Sequence, residues 1–189
     1  MVEIDVHLCK TGEPVVIHDE ELGRTTSGTG LIAEKSIQEI KSYRTPEGYQ
    51  IPLLSEVLAL VGSKAVLNIE LKGIGTAQPV LEVLQGFSGI KYLFSSFNFN
   101  ELMSLRHLNA EVPIAVLTED DAAMAFLQAR HLKAEAIHLY YKLATRDYIR
   151  DCHRNNIKVN VWTVNSPDKI KKMKELEVDG IISDFPERI

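Results

Sequence analysis

Ala65–Leu71 (AVLNIEL), Pro79–Gln85 (PVLEVLQ), Tyr92–Ser96 (YLFSS) and Glu101–Leu108 (ELMSLRHL) follow one another as strand-like run, helical pattern, strand-like run and helical pattern. Val80, Leu81 and Leu84 mark the apolar stripe of the first helix, and Leu102, Leu105 and Leu108 that of the second. The alternation continues through Pro113–Leu117, Ala122–Leu132, Ala136–Tyr140, Arg146–Arg154, Lys158–Val164, Pro167–Leu176 and Gly180–Ser183. Thr145 and the pair Ser166-Pro167 read as helix starts, the latter an N-cap followed by proline at the first helical position. Upstream, Val2–Leu8 and Val15–His18 read as strands, Leu22–Gly30 as an excursion loop, and Ser36–Lys41 and Ser55–Val61 as helices. Strict alternation predicts an α/β fold of parallel strands joined by right-handed crossovers. The choice lies between a doubly wound sheet and a (β/α) barrel, in one domain spanning residues 1–189. No GxGxxG follows a first strand, which argues against a dinucleotide-binding doubly wound domain.

A net charge of −5 over 189 residues gives no basic footprint for nucleic acid or for anionic lipid. An anionic substrate would therefore need a local cation or a bound metal. Cys9 and Cys152 are read as two reduced thiols. The first residues carry acid where a secretion signal carries base, and no apolar run reaches the ~20 residues of a membrane span. The expectation is a soluble, cytoplasmic chain.

Two strands carry polar groups where a parallel strand covered on both faces is usually apolar. In Val2–Leu8, Glu3, Asp5 and His7 share one face; in Leu67–Lys72, Asn68, Glu70 and Lys72 do. Inward carboxylates are costly to bury without a counter-charge. Three of them, Glu3, Asp5 and Glu70, point to a hard divalent cation, Mg²⁺ or Ca²⁺ rather than zinc. A half-exposed antiparallel strand with its acids in water is the alternative for either strand taken alone.

His18 ends a short apolar run at a strand end, where parallel β/α proteins bind ligands and where an imidazole can move protons near neutral pH. His107, His131 and His153 fall on helical segments and read as surface or packing residues. His138 alternates with Ile137 and Leu139 and so faces inward. Trp162 shares a face with Asn160 and reads as core packing or as an aromatic wall for a small polyol. Asp184, after the last strand, reads as a loop cap.

These segments together resemble the glycerophosphodiester phosphodiesterase family. The stretch from Val2 to Leu8, then Lys10-Thr11-Gly12, Val15-Val16-Ile17-His18-Asp19 and Arg24-Thr25-Thr26, is similar to the family's E-x-D-V, K-D-G, V-V-x-H-D and R-T-T signature. Asn68–Lys72 resembles its metal-ligand strand, Ser95-Ser96-Phe97 its fourth-strand motif, and Val161–Asn165 and Val178–Pro186 its closing strands. The resemblance implies a TIM-type (β/α) barrel and metal-dependent hydrolysis of glycerophosphodiesters to glycerol 3-phosphate and an alcohol. It implies that Glu3, Asp5 and Glu70 bind the metal, that His18 is one of two acid/base histidines, that Lys72 contacts the phosphate, and that Trp162 lines the substrate pocket. The partner implied is a small-molecule glycerophosphodiester, with no nucleic acid and no membrane span. The family's opening His-Arg-Gly strand and first helix have no counterpart ahead of Met1. An incomplete barrel with its first β/α unit absent, and weak or lost turnover, is therefore expected. The open barrel edge at Val2–Leu8 and Gly180–Ser183 is a candidate for pairing in a homo-oligomer. A non-catalytic barrel remnant that binds metal or a phosphorylated ligand is the competing reading.

Overall fold

The computed structural model describes residues 1–189, which form two compact units, Met1–Val112 and Pro113–Ile189. In the first unit, β1 (Val2–Leu8), β2 (Pro14–Val16), β3 (Val66–Leu71) and β4 (Lys91–Ser96) lie in the order β2-β1-β3-β4, with helices α1 (Ile37–Ser42), α2 (Leu54–Val61), α3 (Ala77–Gln85) and α4 (Phe99–Leu108) between or after them. β1, β3 and β4 run parallel, with Asp5 opposite Glu70 and Glu70 opposite Ser95. Val6, Leu67, Ile69 and Leu71 fill the apolar face and are buried. The opposite face holds the acids.

One strand departs from the expected parallel order. β2 pairs antiparallel with β1, Val6 opposite Val16 and Leu8 opposite Pro14. A parallel return needs a crossover of a dozen or more residues, and only Cys9–Glu13 separates the two strands. The chain turns there through Gly12 at φ +95°, closed by the Cys9 N–H on the Glu13 carbonyl at 3.1 Å. This hairpin also revises the open edge read at Val2–Leu8, since β2 covers the Val6–Leu8 half of it.

Residues 9–53 then build a small core of their own. Cys9, Val15, Leu22, Ile32, Ile40 and Ile51 are buried together, with Ile17, Ile37, Tyr43 and Leu53 packed around them. Each such aliphatic side chain contributes about 1.5–3 kcal/mol by leaving water. The excursion at Leu22–Gly30 is thus a tied loop. It opens with a 3₁₀ turn at Leu22–Arg24, and its neck is closed by Leu22 N–H to Gly30 O at 3.1 Å and Ile32 N–H to Glu20 O at 2.9 Å. In α4 the apolar stripe stops at Leu105, and Leu108 is exposed. The third buried position is instead Glu101, whose carboxylate accepts Gly75 N–H at 2.6 Å, Thr76 Oγ1–H at 3.1 Å and Ala77 N–H at 3.1 Å. A charge left there without those donors would be costly; with them it fastens the β3–α3 loop.

In the second unit, β5 (Ile114–Thr118), β6 (Ala136–Tyr140), β7 (Lys158–Trp162) and β8 (Gly180–Ile181) follow in that order, with α5 (Ala122–Leu132), α6 (Arg146–Arg154) and α7 (Pro167–Glu175) as the connecting helices. All three pairings are parallel. The expected caps form: Thr145 accepts from Tyr148 N–H and Ser166 from Lys169 N–H. Asn160 stands opposite Gly180, where a Cβ would collide with its side-chain oxygen. No helix is long and apolar enough to cross a membrane.

Candidate active site

Register sets the acids. With Glu3 opposite Asn68 and Asp5 opposite Glu70 on one face of parallel strands, carboxylate oxygens of Glu3, Asp5 and Glu70 come within 4.8 Å of one another. Lys72 follows β3 on the same face. Its Nζ lies 3.0 Å from Glu70 Oε1 and 3.3 Å from Asp5 Oδ1, an ammonium embedded in the cluster. Lys72 N–H bonds the Val6 carbonyl at 3.1 Å, which fixes the root of the side chain.

The charges report strain of one sign. Desolvation, then Asp5 and Glu70, pushes Glu3 up to about 8 from an ordinary 4.5, with Lys72 opposing. Glu3 keeps an exposed flank, so water screens part of that shift; burial and the two like charges beside it act in the same direction. Burial also raises Glu70, with Lys72 pulling it back in part. Burial works against the Lys72 charge, but Glu70 and Asp5 outweigh it and leave the ammonium above its usual value. Three carboxylates and one ammonium leave a net negative group, to which hard oxygen donors would draw a divalent cation. Because Glu3 holds its proton more tightly folded than unfolded, it favours the native state below pH 4.5 and loses that advantage as pH rises through about 8. In chelator, Glu3→Gln should therefore raise the melting temperature at pH 8 and leave it unchanged at pH 4. Thermal scans across that range would refute the charge assignment if the gain were greatest at acid pH.

The hairpin brings His18 to this group. Ile17 N–H donates to the Asp5 carbonyl at 3.0 Å, which sets His18 beside the acids just beyond β2. His18 Nε2 lies 3.4 Å from Lys72 Nζ, and its Nδ1 lies 2.6 Å from Asp19 Oδ1. His7 Nε2 approaches the His18 carbonyl at 3.1 Å, so its ring braces the His18 backbone; burial lowers its basicity. Five of the six residues singled out from sequence (Glu3, Asp5, His18, Glu70 and Lys72) meet in the first unit.

Trp162 belongs to the second unit. It is half-buried, its indole N–H donates to the His138 carbonyl at 2.9 Å, and its ring packs 5.5 Å from that of Tyr140. His138 is fully buried, with neither ring nitrogen hydrogen-bonded, and burial pushes it down to about 4. Asp184 caps its loop by accepting from Asn165 Nδ2 at 2.8 Å, as read. Cys9 and Cys152 are free and buried. Sequence reading missed Asp19 and Arg24 as partners of His18. The signal was available, since an acid directly following the strand-end histidine and a basic residue five positions further on can fold back together.

An α/β chain that gathers carboxylates and a lysine on one face of parallel strands, with a histidine folded beside them, has the makings of a hydrolase. The glycerophosphoryl diester phosphodiesterase family profile matches residues 1–188. A glycerophosphodiester phosphodiesterase of Bacillus altitudinis is 35% identical, the match covering 99% of this chain and 83% of the relative. One from Caldanaerobacter subterraneus is 31% identical over 100% of this chain and 83% of its own length. Among solved structures, an Oleispira antarctica phosphodiesterase in complex with the product sn-glycerol-3-phosphate superposes with a TM-score of 0.91 at 30% identity, over 99% of this chain and 82% of that one. This chain belongs to the glycerophosphoryl diester phosphodiesterase family. Its fold class is the TIM-type (β/α) barrel in incomplete form.

Proposed function

We propose that this chain hydrolyses glycerophosphodiesters to glycerol 3-phosphate and an alcohol, with Mg²⁺ or Ca²⁺ held by Glu3, Asp5 and Glu70. The observation that carries the reading is the approach of three carboxylates within 4.8 Å, with Lys72 and His18 directly beside them. The donor set fits a hard divalent ion, and burial first, with neighbouring carboxylates adding to it, raises Glu3 and Glu70 where a bound cation would offset the cost. When bound, such an ion supplies positive charge against the phosphoryl oxygens. Lys72 is the residue placed to bind one of those oxygens and orient the diester. His18 Nε2 is the atom placed to accept a proton from the attacking oxygen or return one to the leaving alcohol. A contact of Trp162 with the substrate would be through its ring, because its N–H is committed to the His138 carbonyl.

Positioned acid–base groups are each worth about 10²–10⁴-fold, and His18 is one such group where the resemblance calls for two. Turnover is accordingly expected to be metal-dependent and slow. The test is glycerol 3-phosphate release from glycerophosphocholine by the purified chain in Mg²⁺ or Ca²⁺ and in chelator. Activity indifferent to chelator would overturn the proposal. Metal binding without release would transfer the chain to the reading of a metal- or phosphate-binding protein.

A further inference from the structure

Asp19 is bonded on both sides. Its Oδ1 lies 2.6 Å from His18 Nδ1 and accepts Arg24 Nη2–H at 2.8 Å, while its Oδ2 accepts Arg24 Nε–H. The guanidinium thus grips both carboxylate oxygens in a fork, which fixes a terminal torsion that is otherwise soft. Arg24, and after it His18, hold the Asp19 carboxyl well below the usual range, so it is an acceptor throughout the neutral region. On the other side of the ring, the Lys72 ammonium stands 3.4 Å from Nε2. A carboxylate can only accept and an ammonium can only donate. A neutral ring between them carries its proton on Nδ1 and turns the Nε2 lone pair toward Lys72 and the acids. A proton on Nε2 would face the ammonium.

The grip has a foundation. Arg24 closes the 3₁₀ turn that begins at fully buried Leu22, within the small core of residues 9–53. Thr26 Oγ1–H donates to the Leu22 carbonyl at 2.7 Å and in turn accepts Gly28 N–H at 3.1 Å. Gly28 lies against Tyr43, where a Cβ would come within 2.9 Å of ring carbons. The side chain of Arg24 is exposed, but the backbone on either side of it is tied at Leu22 and Thr26.

We propose that Asp19 is a positioning residue that fixes His18 as the Nδ1–H tautomer, with Arg24 as the clamp that holds Asp19 in place. Its catalytic consequence rests on the hydrolysis proposed above; the tautomer does not. An exposed ion pair with no such role contributes little and orients nothing. The two cases separate experimentally. The ¹⁵N-histidine-labelled full chain in Mg²⁺ is examined by two-bond ¹H–¹⁵N correlation, with the His18 signals assigned by their loss in His18→Gln. The parent is expected to show the Nδ1–H pattern for His18, and Asp19→Asn, whose amide can donate to Nδ1, to shift it toward Nε2–H. Arg24→Lys, which keeps the charge and loses the fork, should give a mixture. In glycerophosphocholine turnover, Asp19→Asn should lower kcat by about 10²–10³-fold with KM changed less than about threefold, and Arg24→Lys should show only part of that loss. An Nε2–H pattern in the parent, or a tautomer that stays in place in both variants, overturns the proposal whatever the rate does. A shifted tautomer in a chain whose parent shows no turnover refutes the hydrolysis and leaves the positioning standing.

Discussion

Glu70→Gln is expected to remove measurable Mg²⁺ binding and to lower glycerol 3-phosphate release by about 10²–10³-fold or more. Glu70 is central to the cluster. It stands in register with Asp5 on one neighbouring strand and with Ser95 on the other, and it is buried. Glutamine keeps its volume and one oxygen but loses the charge, so the strand geometry should survive while a hard anionic donor is lost. The fold should lose little, because Glu70 carries a raised carboxyl in a like-charged group and Lys72 retains Asp5 at 3.3 Å. Isothermal titration with Mg²⁺ and a thermal scan in chelator are the measurements. Parent-like metal affinity in a folded Glu70→Gln chain would remove Glu70 from the site.

Lys72→Met should separate three quantities that a simple loss of structure would move together. In chelator the variant should be less stable by about 1–3 kcal/mol. Breaking a fully buried ion pair costs about 3–5 kcal/mol, and the Lys72 side chain here is 21% exposed. Its affinity for Mg²⁺ should nevertheless rise by about tenfold, since an ammonium 3.0 Å from Glu70 and 3.3 Å from Asp5 competes with any other cation for those oxygens. Turnover should fall despite the tighter metal, because the side chain proposed above to bind the phosphoryl oxygen is gone. Saturating Mg²⁺ should restore the melting temperature by mass action. Metal affinity that falls with the substitution would mean that Lys72 supports the cluster rather than competing within it, and unchanged turnover would remove it from the substrate.

Much of the site was legible because strand periodicity is short and strict. Once Val2–Leu8 and Leu67–Lys72 are strands, the period of two commits Glu3 and Asp5 to one face and Glu70 and Lys72 to another. Parallel pairing then brings those faces side by side, as the register of Asp5 with Glu70 shows. Helix starts were equally local, and Thr145 and Ser166 cap the helices they precede. Leu108 and Glu101 went the other way. The helical period marks which residues share a stripe, but where a stripe meets solvent depends on the length of the neighbouring elements. Nothing in the spacing says that a glutamate will be buried to receive the N–H groups of a different loop.

The sequence by itself determined the alternating α/β plan, the carboxylate faces and the family, since each rests on short-range periodicity or on motifs in fixed order. Tertiary structure alone decided that the excursion of residues 9–53 has its own core, and that His18 lies between Lys72 and an Asp19 held by Arg24. The physical reason is the range of the interactions. Propensity and pleat act over a few residues, whereas the His18–Lys72 contact joins positions 54 apart. Such a contact exists only once the hairpin and the β1–β3 ladder have both formed.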